Sequence, residues 1–190
     1  MAKKDSNSGM DLLRNVLLGL AVILAILFIF PLFLSSHVVI TASEEIQAPA
    51  KVVFDEINNL HKQKLWYPFK NDSITPDSIP KPSQGTGATR YWIKGDSILR
   101  KLVIEKSKPF SYLKAVLWFG KDQGAVQEWH LSGDSSRTNI TWKFQVLNLH
   151  YPFGKWLGLV IRNSMQPALK TGLKRLKKVS ETEVKKPGTP

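Results

Sequence analysis

Residues 137–147 read RTNITWKFQVL, with Ile140, Trp142, Phe144 and Val146 alternating against Asn139, Thr141, Lys143 and Gln145. Successive side chains of an extended chain point to opposite faces, so this segment is a strand with one buried and one wet face. A sheet of that kind is antiparallel and needs a cover on its apolar side only. The same period of two extends upstream through 88–94, 97–106, 111–119 and 125–132. Turn residues separate the segments at 94–96, 107–109, 120–124 and 133–136. Five strands with such short connections make an antiparallel meander. Leu113, Ala115, Leu117 and Phe119 belong to the inner face, which Trp129 and Leu131 continue; Val116 and Trp118 make the outer face there less polar than usual.

Beyond residue 150 the period changes to that of a helix, through about residue 179. Trp156, Val160, Met165, Leu169, Leu173 and Leu176 form one broad stripe, with Lys170, Lys174, Arg175, Lys177 and Lys178 largely opposite. Pro167 is expected to bend this helix, and 181–190 to form a disordered tail. Upstream of the meander, 37–46 is rich in β-branched residues and reads as a strand. Residues 48–60 carry Val53, Ile57 and Leu60 at helical spacing behind Pro49, which suits a helix start. An aromatic cluster broken by Pro68 occupies 65–69, and 71–87 is loop-like. The only element long enough to cover the curved sheet is the last helix, so the class is α+β, a curved antiparallel sheet wrapped on a long C-terminal helix.

The 190 residues hold 27 Lys and Arg against 15 Asp and Glu, four His and no Cys. Disulfides, thiolate metal sites and a Cys nucleophile are therefore excluded. The mean hydropathy of -0.15 averages two unlike parts. Residues 16–34, VLLGLAVILAILFIFPLFL, contain no charge or amide. Nineteen residues at about 1.5 Å each cover the roughly 30 Å hydrocarbon core of a bilayer. A cleaved leader has a shorter core and a small-x-small cleavage site, whereas Ser35 and Ser36 follow bulky Phe33 and Leu34. The division is thus a short cytoplasmic N-terminus over 1–11, a transmembrane signal anchor over 12–34, a domain over 35–180 and the tail. Lys3, Lys4 and Arg14 precede the span, and 35–50 offers Glu44 and Glu45 without Lys or Arg before Pro49. The positive-inside bias puts the domain on the extracytoplasmic side of a single-pass cell-membrane protein.

In this order and spacing the chain resembles the START-like, or SRPBCC, superfamily and in particular its polyketide cyclase/dehydrase-like branch. The resemblance is carried by the first strand running into Ile46–Pro49, the helix over 51–57, Trp66 to Phe69, Gly85 to Trp92, the late strand from Arg137 to Trp142, and the closing helix with Leu169, Leu173 and Leu176. It covers 37–179; the transmembrane segment is an addition. It implies a helix-grip fold with a cavity between sheet and C-terminal helix that holds a lipid or other hydrophobic small molecule. It names no ligand, because members include carriers, enzymes and regulators.

The expected cavity walls are Leu102, Ile104, Leu113, Leu117, Trp129, Trp142 and Phe144 from the sheet, with Met165 and Leu169 from the helix. Trp66, Tyr67 and Phe69 stand at its expected mouth. The same residues also suit an ordinary packed core, and the aromatic trio an ordinary plug. No catalytic residue emerges: Glu128 and His130 point away from the cavity on the alternation, and His61 has no evident partner. No phosphate loop, nucleophile elbow, metal spacing or cofactor motif occurs. An apolar-ligand carrier is favoured over a cyclase/dehydrase-like enzyme and over a non-catalytic interaction module displaying apolar residues around Val116 and Trp118. Beyond residue 34 lie 24 of the Lys and Arg. Outside the cytoplasm this charge serves anionic headgroups rather than nucleic acid, through the basic face of the C-terminal helix, if it does more than keep that face solvated.

Overall fold

In the computed structural model, residues 5–68, 77–120 and 122–185 are described. An apolar helix α1 (Asp5–Ile29) ends in a 3₁₀ turn (Phe30–Phe33) and leads into β1 (Val38–Ile46). Two short helices follow, α2 (Ala50–Asn58) and α3 (Leu60–Trp66), then a two-residue strand β2 (Asp77–Ser78). The meander comprises β3 (Thr89–Lys94), β4 (Ser97–Lys108), β5 (Tyr112–Phe119), β6 (Asp122–Gly133) and β7 (Thr138–Val146). The chain closes with α4 (Phe153–Lys185).

All neighbouring strands are antiparallel, in the order β1-β7-β6-β5-β4-β3-β2. Ile140, Trp142 and Phe144 are buried as their alternation requires, and Leu169, Leu173 and Leu176 of α4 join them in one core with α2 and α3. This is the helix-grip arrangement.

Four sequence expectations change. The helix expected over 48–60 is two helices, because Asn59 is extended (φ -99°, ψ 113°) and its side-chain oxygen accepts from the backbone N–H of His61 and Lys62, capping α3. The C-terminal helix runs on to Lys185, so 181–185 are not a disordered tail. Ser180 is buried, and Glu181 accepts a 2.9 Å hydrogen bond from the backbone N–H of Gln47, which ties the last turns to the sheet. Val160, placed on the inner stripe, is 63% exposed, since Gly158, Ile161 and Met165 take that side instead. Val116 on the convex face is 1% exposed, flanked by Val103 on β4 and by the buried Val126 on β6, so no open apolar patch centres on it.

One helix among the described residues, Gly9–Phe33, is long and apolar enough to cross a membrane, and a membrane span or a signal sequence would have this length and composition. Its end is fastened to the domain. Pro31 lacks the N–H that an α-turn would direct at Leu27 and a 3₁₀ turn at Phe28. The indole N–H of Trp156 donates to the Leu27 carbonyl (3.2 Å), and the Tyr151 hydroxyl donates to the Phe28 carbonyl (2.7 Å). The rings of Phe30 and Trp156 stack at 5.1 Å. Two carbonyls that proline leaves open are thus satisfied from the domain.

From that junction α4 runs alongside β1. Gly158 approaches Val38, Gln166 donates to the Thr41 carbonyl, Lys177 pairs with Glu44 and Glu181 meets Gln47. The lysine-rich stretch beginning at Lys170 therefore lies far from the end of α1; from Lys155 to Lys174 is about 28 Å of helix at 1.5 Å per residue. The cations of α4 nearest the apolar helix are Lys155 and Arg162, not the C-terminal lysines.

Candidate functional site

The space between the sheet and α4 is divided in two. One part is filled by aromatic rings. Trp129 and Trp142 face each other at 5.3 Å, and the rings of Trp66 and Tyr67 each lie 5.8 Å from Trp142. Trp66 is fully buried at the end of α3, its indole N–H held 3.0 Å from the Glu56 carbonyl. It therefore belongs to the core and not to a mouth. Gly172 lets α4 come down on this stack, for a β-carbon there would stand 2.9 Å from both Trp142 and Pro68.

The other part is hollow. A cavity of about 160 Å³ is lined by Tyr67, Trp92, Arg100, Leu117, Phe119, Phe144 and Met165. The register locates it: Val38 pairs with Val146, Leu117 with Ala125 and Arg100 with Phe119, so the lining residues lie toward the same end of the strands as the start of β1, into which α1 leads. Phe119, at the end of β5, is half exposed and stands at the opening, and its ring lies across Gly124 of β6.

Of the expected wall and mouth residues, Tyr67, Leu117, Phe144 and Met165 line this cavity. Leu102, Ile104, Leu113, Trp129, Trp142 and Leu169 are fully buried in the packed part with Trp66. Phe69 falls outside the described residues. Trp92 and Arg100 line the cavity without having been expected there, and Phe119, placed on the inner face by its alternation but not among the walls, lines it too. Trp92 and Arg100 alternate with Tyr91 and Lys101 on strands whose outward faces are also long or aromatic, which hid the inward set.

The site's polarity comes from these additions. The guanidiniums of Arg90, itself 3% exposed, and Arg100 lie 4.7 and 5.0 Å from the centre of the Trp92 indole. At that range each is attracted to the ring's electron-rich face. The Tyr67 hydroxyl is 3.0 Å from Oε1 and 2.7 Å from Nε2 of the buried Gln127. Burial pushes the phenol up to about 12, against the opposing pull of Gln127, Arg90 and Arg100, so at neutral pH it is a proton-bearing hydrogen-bond donor. The buried indole N–H of Trp92 has no acceptor among the described residues. Among the described residues, no carboxylate or imidazole lines the cavity.

Glu128 lies on the convex face, as the alternation requires. The Tyr112 hydroxyl donates to it at 2.6 Å, Gln145 at 3.0 Å, and Lys143 is 3.7 Å away. The hydrogen bond from Tyr112 holds its carboxyl below the ordinary range. His130 is exposed beside Tyr112, and His61 is exposed at the start of α3. Among the described residues no cluster of His, Asp and Glu could hold a metal ion. The cavity can remove an apolar body from water and present it with positive charge and donors, which favours a ligand with an acceptor or anionic group.

No family model and no curated protein matches the chain. Solved structures do. A Staphylococcus aureus protein of unknown function superimposes with a TM-score of 0.60 at 11% identity, over 79% of this chain and 97% of its own. The ZhuI aromatase/cyclase of a Streptomyces species gives 0.56 at 12% identity, over 81% and 99%. DynU16, from the dynemicin biosynthetic locus, gives 0.53 at 16% identity; 76% of this chain is covered, which spans only 48% of DynU16. Identities this low establish shared architecture alone. What the chain has in common with these proteins is the helix-grip fold.

Proposed function

We propose that this protein is a bilayer-anchored helix-grip domain that takes a lipid or other hydrophobic small molecule into the cavity beneath α4, with an acceptor or anionic group of the ligand toward Arg100 and Trp92. The observation that carries the reading is the hollow itself, apolar on Leu117, Phe119, Phe144 and Met165 and cationic on Arg100. Its volume of about 160 Å³ is close to that of an engineered apolar cavity that holds benzene, and below the range of drug-sized sites. A ring or the end of an acyl chain fits; the rest of a longer molecule lies outside, past Phe119. Burying the inserted part contributes about 25 cal/mol per Å² of apolar surface.

In this reading residues 12–34 are an uncleaved anchor, 1–11 are cytoplasmic and the domain is extracytoplasmic, as the bias of Lys3, Lys4 and Arg14 suggests. Support for retention of the anchor comes from Tyr151 and Trp156, which bond to it. A lining that offers a phenol and a guanidinium in place of an acid-base pair supports carriage rather than cyclisation.

The test is uptake of a fluorescent fatty acid by full-length protein in detergent. Wild type should bind it, Arg100→Leu should weaken a carboxylate probe more than its methyl ester, and Met165→Trp should block both by filling the hollow. Equal uptake by wild type and Met165→Trp would place the probe elsewhere and overturn the proposal.

A further inference from the structure

We propose a second site: the cleft at the junction of the apolar helix and the domain binds the phosphate of an anionic lipid headgroup. The cleft has a volume of about 310 Å³ and lies between the end of the 3₁₀ turn, the start of β1 and the first turns of α4. Its polar side chains are Ser35, His37, Lys155 and Arg162, and among the described residues no carboxylate lines it. Lys155 and Arg162 are two turns apart on one face of α4, and among the described residues neither is paired with an acid. The Ser35 hydroxyl lies 3.3 Å from Nδ1 of His37, so a hydroxyl donor and an imidazole sit together opposite the two cations.

The depth of the cleft is set by Gly158. A β-carbon there would come within 2.7 Å of Leu149 and 3.2 Å of Val38, so glycine lets the α4 backbone lie against β1, with Lys155 and Arg162 lining the groove on either side of it along the helix. The position selects the ligand. Resting on the anchor reading above, the segment long and apolar enough to span ends at Phe33, one of the cleft's own walls, which puts the four polar groups at headgroup level. Guanidinium and ammonium groups recognise phosphate by charge-assisted hydrogen bonds, the guanidinium in bidentate fashion. Leu159 in the cleft wall is exposed, as is the outer stripe of Phe153, Leu157 and Val160 on α4, at 64, 54 and 63%. In water such a stripe is unfavourable; against acyl chains it is not.

The experiment reconstitutes the full chain into nanodiscs of phosphatidylcholine doped with phosphatidylglycerol and counts the lipids retained on release by native mass spectrometry. A parallel arm titrates inorganic phosphate into the protein in a zwitterionic, phosphate-free detergent. Wild type should retain phosphatidylglycerol over phosphatidylcholine, and a Lys155→Gln, Arg162→Gln double variant should lose about tenfold or more of that preference. Arg162→Lys, which keeps charge but not the planar fork, should fall between them; because Arg162 is outside the buried core and the change keeps its charge, this variant also guards against misreading a folding defect. No preference in wild type, or an undiminished preference in the double variant, overturns the proposal. So does binding of inorganic phosphate without lipid retention, which would make the site one for a soluble anion. Carbonate extraction of native membranes separates the two readings: a chain that stays in the pellet but shows no headgroup preference keeps its anchor and loses this site, whereas an extractable chain loses both.

Discussion

The ring of Phe119 occupies the space that a β-carbon at Gly124 would need. Across the β5–β6 hairpin this glycine gives the phenyl ring its resting place at the opening of the cavity. Gly124→Ala should drive the ring off β6, either inward over Leu117 or out into solvent, and Phe119→Ala should leave the opening uncovered. Stopped-flow release of a bound fluorescent fatty acid should be several-fold faster for Phe119→Ala than for wild type. Identical release rates would show that the ligand does not pass this ring.

The closeness of α4 to the tryptophan stack gives a stability prediction. Gly172→Ala puts a methyl where Trp142 and Pro68 already stand, and overpacking of this kind costs about 1–3 kcal/mol. Trp142→Ala removes the ring on which Trp66, Tyr67 and Trp129 converge and should cost about 3–5 kcal/mol. Denaturant unfolding of the full chain in detergent measures both; a Gly172→Ala protein as stable as wild type would mean that the helix sits further from the sheet.

Tyr67 makes stability depend on alkaline pH. Its phenol is pushed up from 10 to about 12 in the folded protein, so the folded state holds the proton more tightly than the unfolded chain. The contribution is complete below pH 10 and is lost as pH rises from 10 toward 12. Ultraviolet titration should show late-ionising phenols, one from Tyr67 and one from Tyr112, which burial and Glu128 also push up to about 12. Tyr67→Phe should remove one of these steps and flatten the alkaline loss of stability.

Glu56 of α2 is nearly buried, and Lys62 of α3 bridges it at 3.2 Å while reaching Asp55 at 2.6 Å. The hydrogen bond to Asp55 leads the causes that raise the Lys62 ammonium above its ordinary range, so its contribution is complete below pH 10.5 and fades as pH rises through the folded value. Lys62→Met strands the Glu56 charge. Because Lys62 is about one-third exposed, water softens the loss to about 1–3 kcal/mol. Adding Glu56→Gln should restore part of it, a coupling that a double-mutant cycle reads directly.

The sheet was legible because burial on one face writes itself into every second residue, as at Ile140, Trp142 and Phe144. The closing helix was legible for the same reason at Leu169, Leu173 and Leu176. Alternation says which side chains point inward; it does not say where their summed volumes fall short. Trp129 and Trp142 fill their part of the interior while Leu117 and Phe144 border a hollow, and that difference depends on partners scores of residues away. Val160 misled because α4 is apolar on both sides over its first turns, where the stripe alone cannot tell the sheet-facing side from the exposed one. The cleft was invisible for a related reason: His37 and Arg162 come to line one cleft only through the fit of Gly158 against Val38.

Pro31 has a mechanical consequence. The carbonyls of Leu27 and Phe28 are bonded by Trp156 and Tyr151, so the helix is tied to the domain at two points beside the start of α4. A twist or tilt imposed on the helix would be delivered as torque to the first turns of α4, the element that roofs the hollow.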